Sequence, residues 1–384
     1  MEKEIIIIGV GIAGLSIARD MRLRDFRVTI LEKNTVASGT TRCAAMLHSG
    51  ARYAVKDKKL AELCFEENKI INHIADFAIG KNKGLFISMP TDDQEFHEEF
   101  ERNCLEIGIP IEKLNFEEIE KIQPGINKKV SGGYLTPDLV IDNSKLIDAY
   151  VYNLKKDSVD ILERTEILRA EFHNNYWNLL ISQNNIKKNI RTNFVINASG
   201  SNLSEVAKIF GDNFELSYIH GAMAILNKNI CNRIISRCAP STSGDTIIPS
   251  AEGSLIGSTW HESDNNNPIM MSEDDREELL KSASLILEET SHLKIVSNII
   301  GIRTHVKADS ESGSFNIKRD YAIVDHNKSK KVSNFISVLP GKLTLSRFVA
   351  EKVGDIICKS FNLDTKSKTK YTPLSIPTNY SLNK

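Results

Sequence analysis

The sequence lacks an excess of charge, paired cysteines and a long apolar run, and each absence removes a class of protein. Its 49 Lys+Arg offset 50 Asp+Glu to a net charge of -1, so no whole-chain field draws nucleic acid or an anionic membrane. Any attraction for anions must be local. Six cysteines (Cys43, Cys64, Cys104, Cys231, Cys238 and Cys358) are scattered with no CxxC pair. That spacing argues against a zinc or iron–sulfur site and points to free thiols in a reducing compartment, with the cytoplasm as the default. The apolar stretch at residues 5–18 is too short to span a bilayer, is interrupted by Gly9, Gly11 and Gly14, and carries no signal-peptide cleavage pattern. No internal repeat is present. What remains is a folded, soluble chain of 384 residues, 41% hydrophobic, long enough to bury one large core or two interlocked ones.

The N-terminal stretch EIIIIGVGIAGLSIARDMRLRDFRVTILEK opens with four isoleucines, which suit a strand buried on both faces of a parallel sheet. Gly9, Gly11 and Gly14 form G-x-G-x-x-G between that strand and a helix expected to run to about Arg24. A second strand is expected at Arg27–Leu31, ending at Glu32. Each part has a physical task. Gly9 permits the tight turn, Gly11 lets backbone approach a pyrophosphate, and Gly14 lets helix pack on strand. The helix N-terminus offers N–H groups to the anion, and Glu32 accepts hydrogen bonds from the adenosine ribose. A dinucleotide follows; the motif by itself does not choose between FAD and NAD.

Further along, TNFVINASG (residues 192–200) reads as a buried strand ending in a small-residue turn, and RDYAIVDH (residues 319–326) precedes another strand. SEDDREELLKSASLILEET reads as a helix whose Ser272 and Asp275 form a capping box, and GDTIIPSAEGSLIGSTW as a hairpin. FISVLPGKLTLSRFVAEKVGDIICKSF reads as strand, Pro-Gly turn and a helix from about Thr344, with Phe348, Val349, Val353, Ile356 and Ile357 at helical spacing. The tail from Asp364 is polar, carries Pro373 and Pro377, and is expected to be an irregular surface segment. One stretch stands apart. LHSGARYAV (residues 47–55) places Arg52 and Tyr53 after a small-residue turn, a rigid fork matched to phosphate or carboxylate beside a phenol that adds one directional bond.

Taken in order, GVGIAG with Glu32, ASGTTRCAAMLHSGARYAV, NKGLFISMPTDD, NASG, LIGST, GIRTHV, KRDYAIVDH and GKLTLSR span the chain to about residue 360. As a set they resemble the FAD-dependent glycerol-3-phosphate dehydrogenases, most closely the catalytic A subunit of the anaerobic type. The resemblance implies an α/β flavoprotein of the D-amino-acid-oxidase type. Residues 1–80, 140–215 and 300–363 would form a discontinuous Rossmann-like FAD-binding domain, and 81–139 and 216–299 a substrate domain on a mostly antiparallel sheet, followed by a tail at 364–384. It assigns Gly9, Gly11, Gly14, Glu32, Lys33, Ser38, Thr40, Thr41, His48, Ser49, Ala198, Gly200, Gly341, Lys342, Leu343 and Thr344 to FAD. Arg52, Tyr53, Arg303, Arg319 and Lys342 fall where the family surrounds substrate and flavin. Lys342 and the final helix N-terminus could also favour the negative charge of a reduced flavin.

The implied reaction removes the C2–H of sn-glycerol 3-phosphate as hydride to flavin N5 while a base takes the hydroxyl proton, giving dihydroxyacetone phosphate. His220 stands beside the glycine where the family has Lys-Gly-Ser, and reads either as that base or as a satisfied core histidine. The chain departs from the family pattern near the expected pocket. Residues 39–47 are slightly shortened, Ala44 replaces a commonly polar position, Pro340 replaces the first glycine of GGK, and the subfamily histidine falls on Met223. FAD is therefore better marked than the substrate. Another phosphorylated or carboxylated alcohol or amine, such as a 2-hydroxy acid, fits the same anion site, and a flavin-binding subunit without turnover is the reading from a different class. The family's helical or cysteine-rich C-terminal extension has no counterpart here. Electrons are expected to pass to a partner protein, a soluble acceptor, a quinone or oxygen, in the cytoplasm or at the inner face of the membrane.

Overall fold

The computed structural model describes residues 3–37, 44–267, 269–288, 290, 292–307, 321–327 and 332–377. The isoleucine run forms β1 (Glu4–Ile8). Gly9 turns the chain with φ +102°, and α1 (Ile12–Leu23) starts directly after Gly11. The strand β2 (Arg27–Leu31) then pairs parallel to β1 with Ile7 opposite Ile30. The sheet runs, in spatial order, through Ala322–Asp325, Phe335–Leu339, Phe194–Asn197, β1, β2 and Asp160–Leu162. All neighbours are parallel except the edge pair Ala322–Asp325 and Phe335–Leu339. The glycine turn thus opens at the carboxyl end of β1, between strands reached by connections in opposite directions, which is the switch point where such sheets bind ligands.

Period-two alternation explains why β1 reads as an unbroken apolar run. Ile5 and Ile7 pack with Leu15 and Met21 of α1 and with Val349 and Val353 of the closing helix Ser346–Ser360. Ile6 and Ile8 face the other way, onto Trp177, Phe210 and Phe335. That second face is covered by a three-stranded antiparallel sheet, Thr165–His173, Tyr176–Gln183 and Ile186–Thr192.

A second sheet of nine strands is built around Leu216–Leu226 and Ile295–Val306, which pair antiparallel over their length. Its one parallel pairing among the described residues joins Ile235–Arg237 to Gly84–Ser88. The expected hairpin is Thr246–Ile248 with Leu255–Gly257. The expected helix, Glu273–Ile286, starts at the Ser272–Asp275 capping box and buries Leu279, Ala283 and Ile286. The architecture is the expected one, a Rossmann-like α/β sheet beside a mostly antiparallel one. Strand Ile295–Val306 stays in the second sheet beyond residue 300, where the first domain was expected to resume.

The tail is an irregular segment with two anchors in the core. It is irregular over 364–377, yet Thr369 and Leu374 are buried. Two buried guanidiniums account for this. Arg24 donates to Asp20 (2.6 Å), Asp355 (2.9 Å) and the Thr365 carbonyl (2.6 Å). Arg347 grips Glu67 at 2.6 and 2.7 Å and donates to Thr369 Oγ1 at 3.0 Å. A buried cation needs every donor matched, and the tail adds the Thr365 carbonyl and the Thr369 hydroxyl to the acceptors that the helices present. The described cysteines, Cys64, Cys104, Cys231, Cys238 and Cys358, are all buried. No described helix is long and apolar enough to cross a membrane.

Candidate active site

The glycine turn is a cradle that side chains would fill. A Cβ on Gly9 would lie 2.6 Å from the Ala198 carbonyl oxygen, and one on Gly14 would lie 1.9 Å from the Gly9 carbonyl. Gly11, the N-cap of α1, has no side chain to fill the helix N-terminus, whose first N–H groups face the turn. Glu32 closes the cradle: Val10 N–H donates to its Oε2 (2.9 Å) and Asn34 N–H to its Oε1 (2.8 Å), leaving further lone pairs for hydroxyl donors. The NASG turn is held from beneath, where Asn197 Nδ2 donates to the Leu203 carbonyl (2.8 Å) and to Ser337 Oγ (3.1 Å), and Ser199 Oγ donates to Asn197 Oδ1 (2.6 Å). These features fit the pyrophosphate and ribose of a dinucleotide.

Residues 47–53 form the second part of the site. Gly50 takes φ +93° against the Ala61 carbonyl, 2.1 Å from where its Cβ would stand, and a single 3₁₀ turn, Ala51–Tyr53, follows. The turn is anchored by Asp138, fully buried, which accepts from Ser49 N–H (2.9 Å), Ser49 Oγ (2.6 Å) and Thr136 Oγ1 (2.6 Å). This fixes the directions of three side chains. Arg52 reaches Asp245, with Nη2 at 2.5 and 2.6 Å from the two oxygens, and Nη1 donates to Thr246 Oγ1 at 3.2 Å. The Lys342 ammonium lies over the Tyr53 ring, 4.6 Å from its centroid, and the Tyr53 hydroxyl is 3.4 Å from His48 Nε2. Arg303 donates to Ser258 Oγ and lies against the half-exposed Trp260 ring at 5.5 Å.

His48 sits among these cations. Its backbone N–H donates to Thr344 Oγ1 (3.0 Å), tying the segment to the turn before the closing helix. Its ring Nδ1 is buried, has no hydrogen-bond partner among the described residues, and lies 3.9 Å from Asp138 Oδ1. Burial first, then the Lys342, Arg52 and Arg303 charges, pulls its pKa from 6.5 to about 3, so the imidazole is neutral at working pH. Burial opposes the charge of Arg52, but Asp245 outweighs it and holds that guanidinium above its ordinary pKa. A neutral nitrogen without a partner beside fixed cations is a place for a polar group to dock, and this end of the site fits the head of a flavin.

The structure therefore gathers His48, Arg52, Tyr53, Arg303, Lys342 and Thr344 from distant parts of the chain. Gly341 turns at φ +70°, and the 3₁₀ turn Leu343–Leu345 leads into the closing helix. Lys33 instead points to solvent and pairs with Glu166 at 2.8 Å. Ser38, Thr40, Thr41 and Arg319 lie outside the described residues. Of the two readings of His220, base or core histidine, its position fits the second. Arg303 pairs across the sheet with Ile219, and His220 pairs with Ile302, so alternation puts His220 on the face opposite Arg303. There it is fully buried, with Nε2 3.1 Å from the Asn265 carbonyl. Met223, two positions beyond Gly221, shares the cleft face and packs with Met46. Asp138, Asp245, Thr246, Ser258 and Trp260 were not foreseen. A faint signal existed in GDTII, where an acid opens a buried strand, and none singles out Asp138.

Comparison with known proteins gives the context. The model of the FAD dependent oxidoreductase family, DAO, matches residues 4–328. The A subunit of the anaerobic glycerol-3-phosphate dehydrogenase of Escherichia coli K12 is 29% identical over 366 residues, covering 93% of this chain and 67% of its own. The corresponding A1 subunit of Haloferax volcanii is 26% identical over 394 residues, covering 96% of this chain and 66% of its own. The chain thus spans about two thirds of the length of these curated relatives. In fold it is similar to the glycerol-3-phosphate dehydrogenase from Bacillus halodurans complexed with FAD, with TM-score 0.73, 18% identity, and coverage of 97% of this chain and 68% of that one.

Proposed function

The chain belongs to the FAD-dependent oxidoreductase family, and from that premise we propose that it oxidises sn-glycerol 3-phosphate to dihydroxyacetone phosphate. FAD, when bound, supplies the redox chemistry by accepting hydride from the substrate carbon. The Gly9–Gly14 cradle and the α1 N-terminus bind the pyrophosphate, and Glu32 the ribose. Arg52, Tyr53 and Arg303 hold the phosphate, with Lys342 adding positive charge at the flavin end. His48, whose Nε2 lies 3.4 Å from the Tyr53 hydroxyl, takes the hydroxyl proton. An imidazole held near pKa 3 by burial first and by three cations second is a weak base in the empty cleft, and a phosphate dianion offsets the cations' share once seated.

The observation that carries this reading is the convergence of Arg52, Tyr53, Arg303 and Lys342 around one neutral histidine. The relatives named as the A or A1 subunit of an anaerobic glycerol-3-phosphate dehydrogenase support the choice of substrate, and their being subunits supports delivery of electrons to a partner protein. The test is anaerobic mixing of the FAD-loaded protein with sn-glycerol 3-phosphate, followed by visible flavin absorbance. Rapid bleaching is expected; a spectrum that stays oxidised overturns the assignment.

A further inference from the structure

Asp245 has no task in the reaction just described, yet it is the best-satisfied carboxylate in the cleft. Its side chain is 5% exposed. Both oxygens accept from Arg52 Nη2, Oδ2 also accepts from Thr242 N–H at 3.1 Å, and Oδ1 accepts from Thr246 Oγ1 at 3.1 Å. Thr246 closes the ring by accepting from Arg52 Nη1, and its hydroxyl lies 3.1 Å from Ser236 Oγ. The acceptor capacity of the carboxylate is filled, so it presents no side to a substrate hydroxyl.

A guanidinium this enclosed needs a counterion before any substrate arrives, because an uncompensated charge in a dry cleft is unstable. Resting on the reading of the cleft as a phosphate site, we propose that Asp245 is a positioning residue that stands in for the substrate anion: it holds Arg52 in the empty protein and competes with the incoming phosphate for the same Nη2 donor. Two consequences follow. Arg52 is presented in one orientation instead of collapsing onto Tyr53 or the backbone. Anion affinity is also kept below what Arg52, Arg303 and Lys342 would give unopposed, which favours release of an equally anionic product.

The test uses FAD-loaded protein and inorganic phosphate as the probe, with the dissociation constant read from the perturbation of the visible flavin spectrum. Asp245→Asn keeps the size of the side chain and removes the competing charge, and should bind phosphate at least about tenfold more tightly than the wild type. A merely structural carboxylate would lower thermal stability and leave affinity unchanged or weaker, and either affinity result overturns the proposal. Arg52→Ala separates this from the functional reading. If the wild type binds phosphate no better than Arg52→Ala, the phosphate site itself is misassigned; if Arg52→Ala weakens binding but Asp245→Asn does not tighten it, only the role of Asp245 falls. Should Asp245→Asn not retain FAD, crystals of the wild type grown with and without phosphate decide. Arg52 turned from Asp245 onto the ion is expected, and an unbroken pair with phosphate bound elsewhere in the cleft refutes competition.

Discussion

Lowering the pH should remove stability through His48 by an amount the structure sets. In the folded protein its pKa is about 3, against 6.5 for an unperturbed histidine. Between those values the unfolded chain binds a proton that the folded one refuses. Stability from keeping His48 neutral is therefore fully present above about pH 6.5 and is lost as the pH falls toward 3. From about pH 7 to about pH 5 the loss attributable to this one group is about 2 kcal/mol. The assay is a double difference: urea unfolding of the FAD-loaded wild type and of His48→Gln at both pH values. Glutamine does not titrate, so the wild type should lose about 2 kcal/mol more than the variant over this interval, whatever other groups contribute to both. Equal losses would mean that His48 titrates normally when folded, and that neither burial nor the three neighbouring cations act on it as argued.

The remaining predictions concern the cofactor, the base and the anchor. Gly9→Ala puts a Cβ 2.6 Å from the Ala198 carbonyl at φ +102°, a strain of about 1–3 kcal/mol at the cradle itself, so the purified variant should show a reduced ratio of flavin to protein absorbance. His48→Gln should lower kcat by on the order of 10²–10⁴-fold, whereas His220→Gln, on the opposite face of the sheet, should leave kcat near the wild-type value; the reverse pattern in steady-state rates would restore His220 as the base. Asp138→Asn weakens three hydrogen bonds under the turn that carries Arg52, at a cost of about 1–3 kcal/mol, and should lower Tm and raise KM together.

Elements with a local cause were legible in the sequence. The run of isoleucines, the three glycines and Glu32 act within one strand–turn–helix unit, and the structure places them as their spacing demands. The capping box at Ser272 is local in the same way. Residues whose meaning depends on register were not legible. Whether His220 or its neighbour faces the cleft is decided by one step of alternation along Leu216–Leu226, which depends on pairing with a strand some eighty residues away. Asp245 and Asp138 escaped notice because an isolated acid in sequence reads as surface, and only the folded chain brings Arg52 and Ser49 to them. The anchoring of the tail was hidden for the same reason: a carbonyl and a hydroxyl of this polar segment serve buried arginines.

The arrangement of charge also links binding to chemistry. Burial depresses the His48 pKa most, and Lys342, Arg52 and Arg303, the groups proposed to meet an anion, depress it further. An empty cleft therefore holds a base with little driving force to accept a proton, and a neutral alcohol of similar size would leave it in that state. A phosphate between the cations removes part of the field at the imidazole and raises its proton affinity where the substrate hydroxyl must lie. Discrimination against uncharged alcohols then arises in the proton-transfer step as well as in binding, so a dephosphorylated substrate should lose kcat in addition to affinity. On the proposed reading, the anion that draws Arg52 from Asp245 also relieves the cations' share of the His48 shift, while the share from burial stays.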